Sequence, residues 1–116
     1  MPEFKVEGKR LLLIGDKVVE FPYGIDNVRA YGDMLVVLLD IPSDAQAVNN
    51  VYGVDETERI IWRVQDPTEV YAIQNDVPYV GIRITRDGRI VVTNFNGVAY
   101  ELDPATGRIL DRGVTK

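Results

Sequence analysis

The sequence contains no cysteine and no histidine among its 116 residues. The absence of cysteine excludes disulfides, thiolate nucleophiles and zinc or iron–sulfur centres held by thiolates. The absence of histidine excludes Ser-His-Asp and Cys-His catalysis and removes the one side chain that ordinarily titrates near neutral pH. Because catalysis would have to depend on carboxylates, lysine, tyrosine or hydroxyl groups, we expect a non-enzymatic protein without a cofactor.

Long apolar runs and clusters of basic residues are also scarce. No run approaches the roughly 18 apolar residues of a membrane span, and Met1–Glu7 mixes acids with bases, unlike a signal peptide. We therefore expect a cytoplasmic protein without a membrane partner. The net charge of -5 disfavours nucleic acid as a partner, because phosphate binding requires clustered lysine and arginine. Residues 30–82 hold nine acids and two bases, a balance that favours solubility and is compatible with a basic protein partner.

The pattern of apolar residues predicts a single all-β domain over residues 1–116. Apolar and polar residues alternate in short segments that are separated by turn residues, and no window shows helical periodicity. We predict an N-terminal hairpin at residues 10–21, and a short extended segment at residues 70–73. The continuous apolar run Met34–Leu39 is typical of a strand that is covered on both faces, so it is the candidate centre of the core.

The two halves of the chain repeat each other, with repeat 1 at about residues 22–66 and repeat 2 at about residues 78–112. The segment Leu35-Val36-Val37 corresponds to Ile90-Val91-Val92, and Tyr52 lies 48 residues before Tyr100. Repeats of about 40 to 50 residues with four strands each are typical of propeller blades. We therefore predict antiparallel strands arranged as two four-stranded propeller-like blades plus the N-terminal hairpin, with an open β-sandwich as the alternative.

The end of each repeat resembles the blades of β-propellers of the pyrroloquinoline-quinone (PQQ) type. In those blades an aromatic-apolar-Asp strand precedes a Thr-Gly turn and an apolar-apolar-Trp strand. Residues 98–110 match this pattern, except that Leu110 replaces the Trp, whereas residues 52–62 keep Trp62 and have Glu56-Thr57-Glu58 in place of the Thr-Gly turn. The resemblance implies a blade and no quinoprotein activity, because 116 residues cannot enclose the cofactor and calcium ion of those enzymes.

The number of predicted blades bears on the state of association. A closed propeller needs at least four blades, and this chain supplies two and a hairpin. Free strand edges promote association with further strands. We therefore expect a homo-oligomer that forms through free sheet edges, whereas strands capped within one chain would give an open arc or sandwich.

The function that we predict is a binding or interaction module that acts through loops on one side of the sheets. The segment Ile41–Asn50 is the longest loop, and long loops are often functional. Arginines near a hairpin turn suit a carboxylate or phosphate, and an aromatic residue at a hairpin tip suits a protein contact. The candidate binding residues are Asp44, Gln46, Asn49, Asn50, Glu56, Glu58, Arg83, Arg86 and Phe95.

Two other functions remain as alternatives. An immunity-like or inhibitor-like protein would use the acidic middle of the chain against a basic partner. A carboxylate-dependent, carbohydrate-active enzyme would pair two acids such as Asp40 and Glu58 at about 5 to 10 Å. The acids of residues 55–58, with Asp40 and Asp44, contain the oxygen ligands that calcium prefers, but their spacing lacks the order of an EF-hand loop. We therefore interpret residues 55–58 as a solvated turn and predict no metal.

Overall fold

The computed structural model describes residues 3–113, which form three antiparallel sheets. The N-terminal sheet contains β1 (Phe4–Glu7), β2 (Arg10–Leu13) and β3 (Lys17–Glu20). The middle sheet contains β4 (Ile25–Tyr31), β5 (Met34–Leu39), β6 (Val51–Val54) and β7 (Ile60–Arg63). The C-terminal sheet contains β8 (Tyr79–Ile84), β9 (Ile90–Asn94), β10 (Ala99–Leu102) and β11 (Ile109–Arg112). The predicted all-β antiparallel class, with two four-stranded sheets after an N-terminal hairpin, is confirmed.

Two local features differ from the sequence prediction. The hairpin at residues 10–21 pairs Leu13 with Lys17, and the unpredicted strand β1 adds to it as a third strand through β2. The four residues of β1 contain only two apolar–polar alternations, too short a pattern to indicate a strand. After β7 the chain forms a 3₁₀ turn at Pro67–Glu69, which Asp66 caps, and residues 70–73 form bends instead of an extended segment.

Strand β5 lies at the centre of the molecule, as its apolar run predicts. Its six residues are all buried. Leu35, Val37 and Leu39 pack towards the N-terminal sheet. The alternate residues Met34, Val36 and Leu38 pack towards the C-terminal sheet. Because side chains alternate across a strand, one strand contributes to two separate cores, and the three sheets stack in chain order.

Trp62 joins the middle sheet to the C-terminal sheet. Its indole ring packs so closely on Gly107 that a β-carbon there would lie 2.6 Å from a ring atom. The indole Nε1 donates a hydrogen bond of 2.8 Å to the Pro104 carbonyl. The tryptophan of repeat 1 and the Thr-Gly turn of repeat 2 therefore contact each other, which explains why each repeat carries only one of them.

Connections lie at two opposite ends of the stacked sheets. The loop end contains the β5–β6 loop, the β7–β8 connection and the β9–β10 turn. The turn end contains the β4–β5, β6–β7, β8–β9 and β10–β11 turns. This division follows from the antiparallel order of each sheet, because successive connections alternate between the two ends. Separately, residues 3–113 include no helix long and apolar enough to span a membrane.

Candidate functional site

The nine candidate residues predicted from the sequence do not lie on one surface. The loop end contains Asp44, Gln46, Asn49, Asn50 and Phe95. The turn end contains Glu56, Glu58 and Arg86, with Arg83 on the strand that leads to it. Since the two ends are separated by the length of a strand, these residues cannot contact one small ligand together. A single binding surface therefore uses one group or the other.

Asn50 joins two sheets and is not available to a ligand. Its side chain is only 2% exposed. The amide Nδ2 donates to the Leu39 carbonyl at 2.8 Å and to the Tyr79 carbonyl at 2.9 Å, and Oδ1 accepts from the Tyr79 amide at 2.8 Å. These bonds join the middle sheet to the start of β8, so the role of Asn50 is structural.

Asn49 has a similar role in a polar network beside Asn50. It has a positive φ of 55°, and its side chain donates to Asp66 at 3.1 Å and accepts from Asn75 at 2.9 Å. Burial opposes the ionisation of Asp66, but hydrogen bonds from Thr68, Asn49 and Asn75 outweigh it and hold the pKa of Asp66 below its ordinary value. The network fixes the end of the β5–β6 loop, whereas Asp44 and Gln46 in the same loop are exposed.

The acids of the β6–β7 turn are engaged in local structure. Asp55 accepts from both the amide and the hydroxyl of Thr57, and this hydrogen bonding is the main reason why the pKa of Asp55 lies below its ordinary value. Glu58 has a φ of 64° and accepts from the Val18 amide at 3.2 Å, while the Glu56 carbonyl accepts from Lys17 at 3.4 Å. This turn therefore fastens the N-terminal sheet to the middle sheet.

The topology does not support the carboxylate chemistry considered for this turn. Asp40 follows β5 at the loop end, whereas Glu58 lies after β6 at the turn end. Four residues of β6 alone span about 13 Å at 3.4 Å per residue, beyond the separation that glycoside hydrolysis requires. Within residues 3–113, no group of three Asp or Glu side chains is placed to hold a metal ion.

The arginines near the β8–β9 turn lie at a separate hollow at the turn end. Arg83 and Arg86 line a shallow hollow of about 520 Å³ together with Arg89. Arg89 is neutralised by Asp87 at 3.1 Å and Glu101 at 3.6 Å, and these acids raise the pKa of Arg89. The hollow contains no apolar wall apart from Ile84, so it is less suited to a ligand than the loop end.

A cleft of about 440 Å³ lies at the loop end, between the middle and C-terminal sheets. We call it the loop-end cleft. It brings Phe95, one of the nine candidate residues, together with the beginning of the long loop. Phe95 is 71% exposed. The cleft is lined by Asp26, Leu39, Asp40, Ile41, Pro42, Ser43, Ala45, Asp76, Pro78, Tyr79, Val80 and Phe95.

The charge of the loop-end cleft has one sign. Asp26, Asp40 and Asp76 contribute three carboxylates, all exposed, and no lysine or arginine is among the lining residues. No local pattern in the sequence indicates Asp26 or Asp76, since they are 50 residues apart and lie in unrelated segments. Only the packing of the two sheets places them at one cleft.

Comparison with known proteins gives a family and little more. Residues 1–114 match the model of a family described as "Domain of unknown function (DUF7957)". The chain is also 35% identical over 66 residues to a glucose-1-phosphate adenylyltransferase of Dechloromonas aromatica (strain RCB), a match that covers 54% of this chain and 15% of that enzyme. No solved structure matches the chain significantly. The short overlap with the enzyme gives no basis for assigning its activity to this chain.

Proposed function

The chain belongs to the DUF7957 family, and we propose that it is a non-enzymatic binding module that recognises a basic protein partner through the loop-end cleft. One observation carries the proposal: three carboxylates, and no lysine or arginine, are among the residues lining a cleft that also exposes a large aromatic side chain. This combination is suited to a segment that presents lysine or arginine beside an apolar residue.

The carboxylates favour a cation. Asp26 lies in β4, Asp40 follows β5 and Asp76 precedes β8, so the three charges come from separate elements and meet only at the cleft. Like charges around one cleft repel each other, and a bound cation relieves that repulsion. Lysine and arginine also carry an apolar stem, which fits the side chains of Ile41 and Val80 in the same lining.

Phe95 supports a protein partner in preference to a free ion. Its exposure shows that the fold does not require this side chain for its core. Exposed aromatic residues are enriched among the residues that dominate protein interfaces. An immunity-like or inhibitor-like role is a special case of this proposal, in which the basic partner is an enzyme.

A titration followed by amide chemical shifts tests the proposal. The probe is acetyl-Leu-Arg-Leu-Lys-amide, and acetyl-Leu-Glu-Leu-Glu-amide is the control peptide. We expect the basic peptide to shift the amides of residues 39–41, 43–45, 76–77, 79–80 and 95, and to bind more weakly as salt is raised, because salt screens exposed charges. The acidic peptide is expected to shift none of them.

Charge-matched variants locate the binding site. We expect the double variant Asp40→Asn/Asp76→Asn to bind the basic peptide about tenfold more weakly, since it removes two exposed ion pairs of about 0.5 to 1 kcal/mol each. The double variant Asp33→Asn/Asp111→Asn makes the same change in net charge away from the cleft, and it should bind like the parent protein. Equal weakening in both variants, or shifts confined to other residues, would falsify the proposal.

A further inference from the structure

The N-terminal sheet has three strands, whereas each of the other two sheets has four. Contacts with the β6–β7 turn place β3 on the side of β7, because Val18 and Lys17 both bond to that turn. Strand β4 lies on the side of β1, since the Ile25 amide at its start donates to the Gly8 carbonyl just after β1. Among residues 3–113, the position left without a strand in the N-terminal sheet is therefore the one beside β1, next to β4.

The edges of the middle and C-terminal sheets are irregular. Strands β4 and β8 pair with their neighbours through register shifts near their first residues. The pairing of β7 with β6, and that of β11 with β10, also shifts register. Bulges of this kind bend an edge strand and discourage further pairing.

The two edges of the N-terminal sheet differ from each other. Strand β3 pairs regularly with β2, but its outward Val18 amide is occupied by Glu58. Strand β1 pairs with β2 in an unbroken register from Phe4 to Glu7. Among the strands that the structure describes, β1 thus has the edge without a bulge or a side chain that blocks it.

The main-chain groups on this edge can be identified from the register. The Val18 amide points away from β2, so the polar groups of its partner Leu12 point towards β1 and pair with Lys5. Since these directions alternate along a strand, the amides and carbonyls of Phe4 and Val6 point outwards. They form the ladder that an added strand requires.

The side chains next to this edge are apolar and incompletely covered. Phe4 is 41% exposed and Val6 is 38% exposed, although both share the strand face that packs on the middle sheet. On β4, Val28 and Ala30 pack against the core of the N-terminal sheet and remain only partly buried. A strand placed beside β1 covers all four side chains.

We propose that the edge of β1 accepts an extended strand from a partner protein, which becomes the fourth strand of the N-terminal sheet. Lys5 and Glu7 lie on the opposite face of β1, where they form an exposed ion pair of 3.8 Å. An acid opposite Lys5 and a base opposite Glu7 complement this face, because opposite charges across a strand pair are favourable. The strand therefore alternates apolar residues with a base and an acid.

A second copy of the whole chain does not fit this edge by pairing β1 with β1. Antiparallel pairing of β1 with its copy would join the two N-terminal sheets into one sheet, with a two-fold axis normal to it. Both middle sheets would then lie on the same side of that joint sheet. The middle sheet already extends beyond β1 by the width of β4, so the two copies would occupy the same space. A single strand lacks this conflict.

Amide hydrogen exchange with two matched peptides tests the inference. The probe acetyl-Thr-Lys-Val-Glu-Val-Thr-amide places its lysine opposite Glu7 and its glutamate opposite Lys5 in antiparallel register. The control acetyl-Thr-Glu-Val-Lys-Val-Thr-amide exchanges the two charges. We expect the probe to slow exchange of the Phe4 and Val6 amides at least tenfold, and the control to bind more weakly. No protection at millimolar probe, equal effects of both peptides, or protection confined to other edges overturns the inference.

A proline variant separates the edge from the fold. Val6→Pro removes an outward amide and none of the β1–β2 hydrogen bonds, and proline is tolerated on an edge strand in such a position. We expect it to abolish peptide protection while the far-ultraviolet spectrum is unchanged, whereas Val6→Thr, which keeps the amide, should still bind. If Val6→Thr also fails to bind, or Val6→Pro still binds, the ladder is not the acceptor.

Two further measurements test whether the peptide binds at the loop-end cleft instead, and whether a second copy occupies the β1 edge. The Asp40→Asn/Asp76→Asn variant is expected to bind the strand peptide normally, because the loop-end cleft is a separate site. The solution mass of the free protein is measured across a wide dilution range by light scattering. A dimer in which the Val6 amide is already protected would show that a second copy occupies this edge, and it would overturn the assignment to a partner strand.

Discussion

The middle and C-terminal sheets have the same strand order and one similar face. Each of the two sheets has one face that points towards the preceding sheet in chain order. On that face the two repeats have apolar residues at corresponding positions, such as Val37 and Val92, or Tyr52 and Tyr100. All of Leu35, Val37, Ile90, Val92 and Tyr100 are buried. Each of these faces packs on another sheet, so the same burial required the same apolar residues in both repeats.

The opposite faces differ, because among residues 3–113 another sheet packs only on that of the middle sheet. On that of the C-terminal sheet, Val91 is buried like its counterpart Val36. In the middle sheet, Met34, Leu38 and Val51 are buried against the C-terminal sheet. The corresponding positions of the C-terminal sheet hold Arg89, Thr93 and Ala99, by the 55-residue and 48-residue spacings of the repeat. These three residues are smaller or more polar than their counterparts in the middle sheet, as expected of a face on which no described sheet packs.

Coverage by a neighbouring sheet also explains why only repeat 1 has the tryptophan of the blade motif. Gly53 of the middle sheet leaves room for Trp62, whereas the corresponding Glu101 pairs with Arg89 on the open face. Leu110 occupies the position of Trp62 and is 56% exposed. The tryptophan is therefore present where a neighbouring sheet covers it and replaced by leucine where none of the described strands does.

The largest difference in unfolding free energy is expected between alanine variants of Trp62 and Leu110. Trp62→Ala should lower the free energy of unfolding by about 3 to 5 kcal/mol, because it removes a buried ring and its hydrogen bond to Pro104. Leu110→Ala, at the corresponding exposed position, should cost within about 0.5 kcal/mol. Urea unfolding followed by circular dichroism measures both; similar costs would show that the two faces are equivalent.

Gly107→Ala tests the contact between Trp62 and Gly107 by changing the glycine. Gly107 has a φ of 72° and an added β-carbon there meets the Trp62 ring, so strain and overpacking together should cost about 2 to 4 kcal/mol. Gly97 has a φ of 86° and open space around it, so Gly97→Ala should cost only about 1 kcal/mol of backbone strain. A Gly97→Ala cost as large as that of Gly107→Ala would contradict the steric contribution of Trp62.

Two polar groups at the same sheet junction are expected to behave differently. Asn50→Ala should cost about 2 kcal/mol, because it leaves the buried Tyr79 amide without an acceptor. The Tyr79 hydroxyl is itself buried without a hydrogen-bond partner among the described residues, so Tyr79→Phe should be neutral or stabilise by up to about 1 kcal/mol. Thermal unfolding compares them, and a destabilised Tyr79→Phe would reveal an unseen partner.

Two substitutions can make the outer face of the C-terminal sheet apolar. The double variant Arg89→Met/Thr93→Leu gives the C-terminal sheet the outer residues of the middle sheet. We expect a small change in unfolding free energy, within about 1 kcal/mol, and concentration-dependent association, because an exposed apolar patch favours contact. Light scattering of the variant beside Gln46→Leu, a change in the exposed β5–β6 loop, tests whether polarity keeps the face free.

The smallest expected effect is a pH dependence at the junction. The folded pKa of Asp66 lies below its ordinary value of 3.8, so its contribution to stability is complete above that value and is lost as pH falls through the folded pKa. Asp66→Asn should therefore flatten the acid limb of the curve of stability against pH. Asp33→Asn, in an exposed turn, serves as the control, and equal flattening in both would exclude a specific role for Asp66.

Several parts of the fold could be predicted because their causes are local. Alternation and turn residues predicted repeats at about residues 22–66 and 78–112, and the strands of the middle and C-terminal sheets lie within those ranges. The apolar run Met34–Leu39 indicated a doubly covered strand. By contrast, Asn49 and Asn50 are polar residues in a long loop, a pattern typical of a binding surface, and nothing local indicates that they bond to β8 and Asp66.

The sequence by itself determined the strands, the turns and the repeat, since these depend on period-2 alternation and on turn residues close together in the chain. The resemblance to PQQ-type blades and the expected homo-oligomer remain predictions. Only the tertiary structure decided which faces are covered and that Asp26, Asp40 and Asp76 line one cleft. It also decided that β1 keeps an open edge. These features depend on contacts between segments far apart in sequence, which local patterns do not encode.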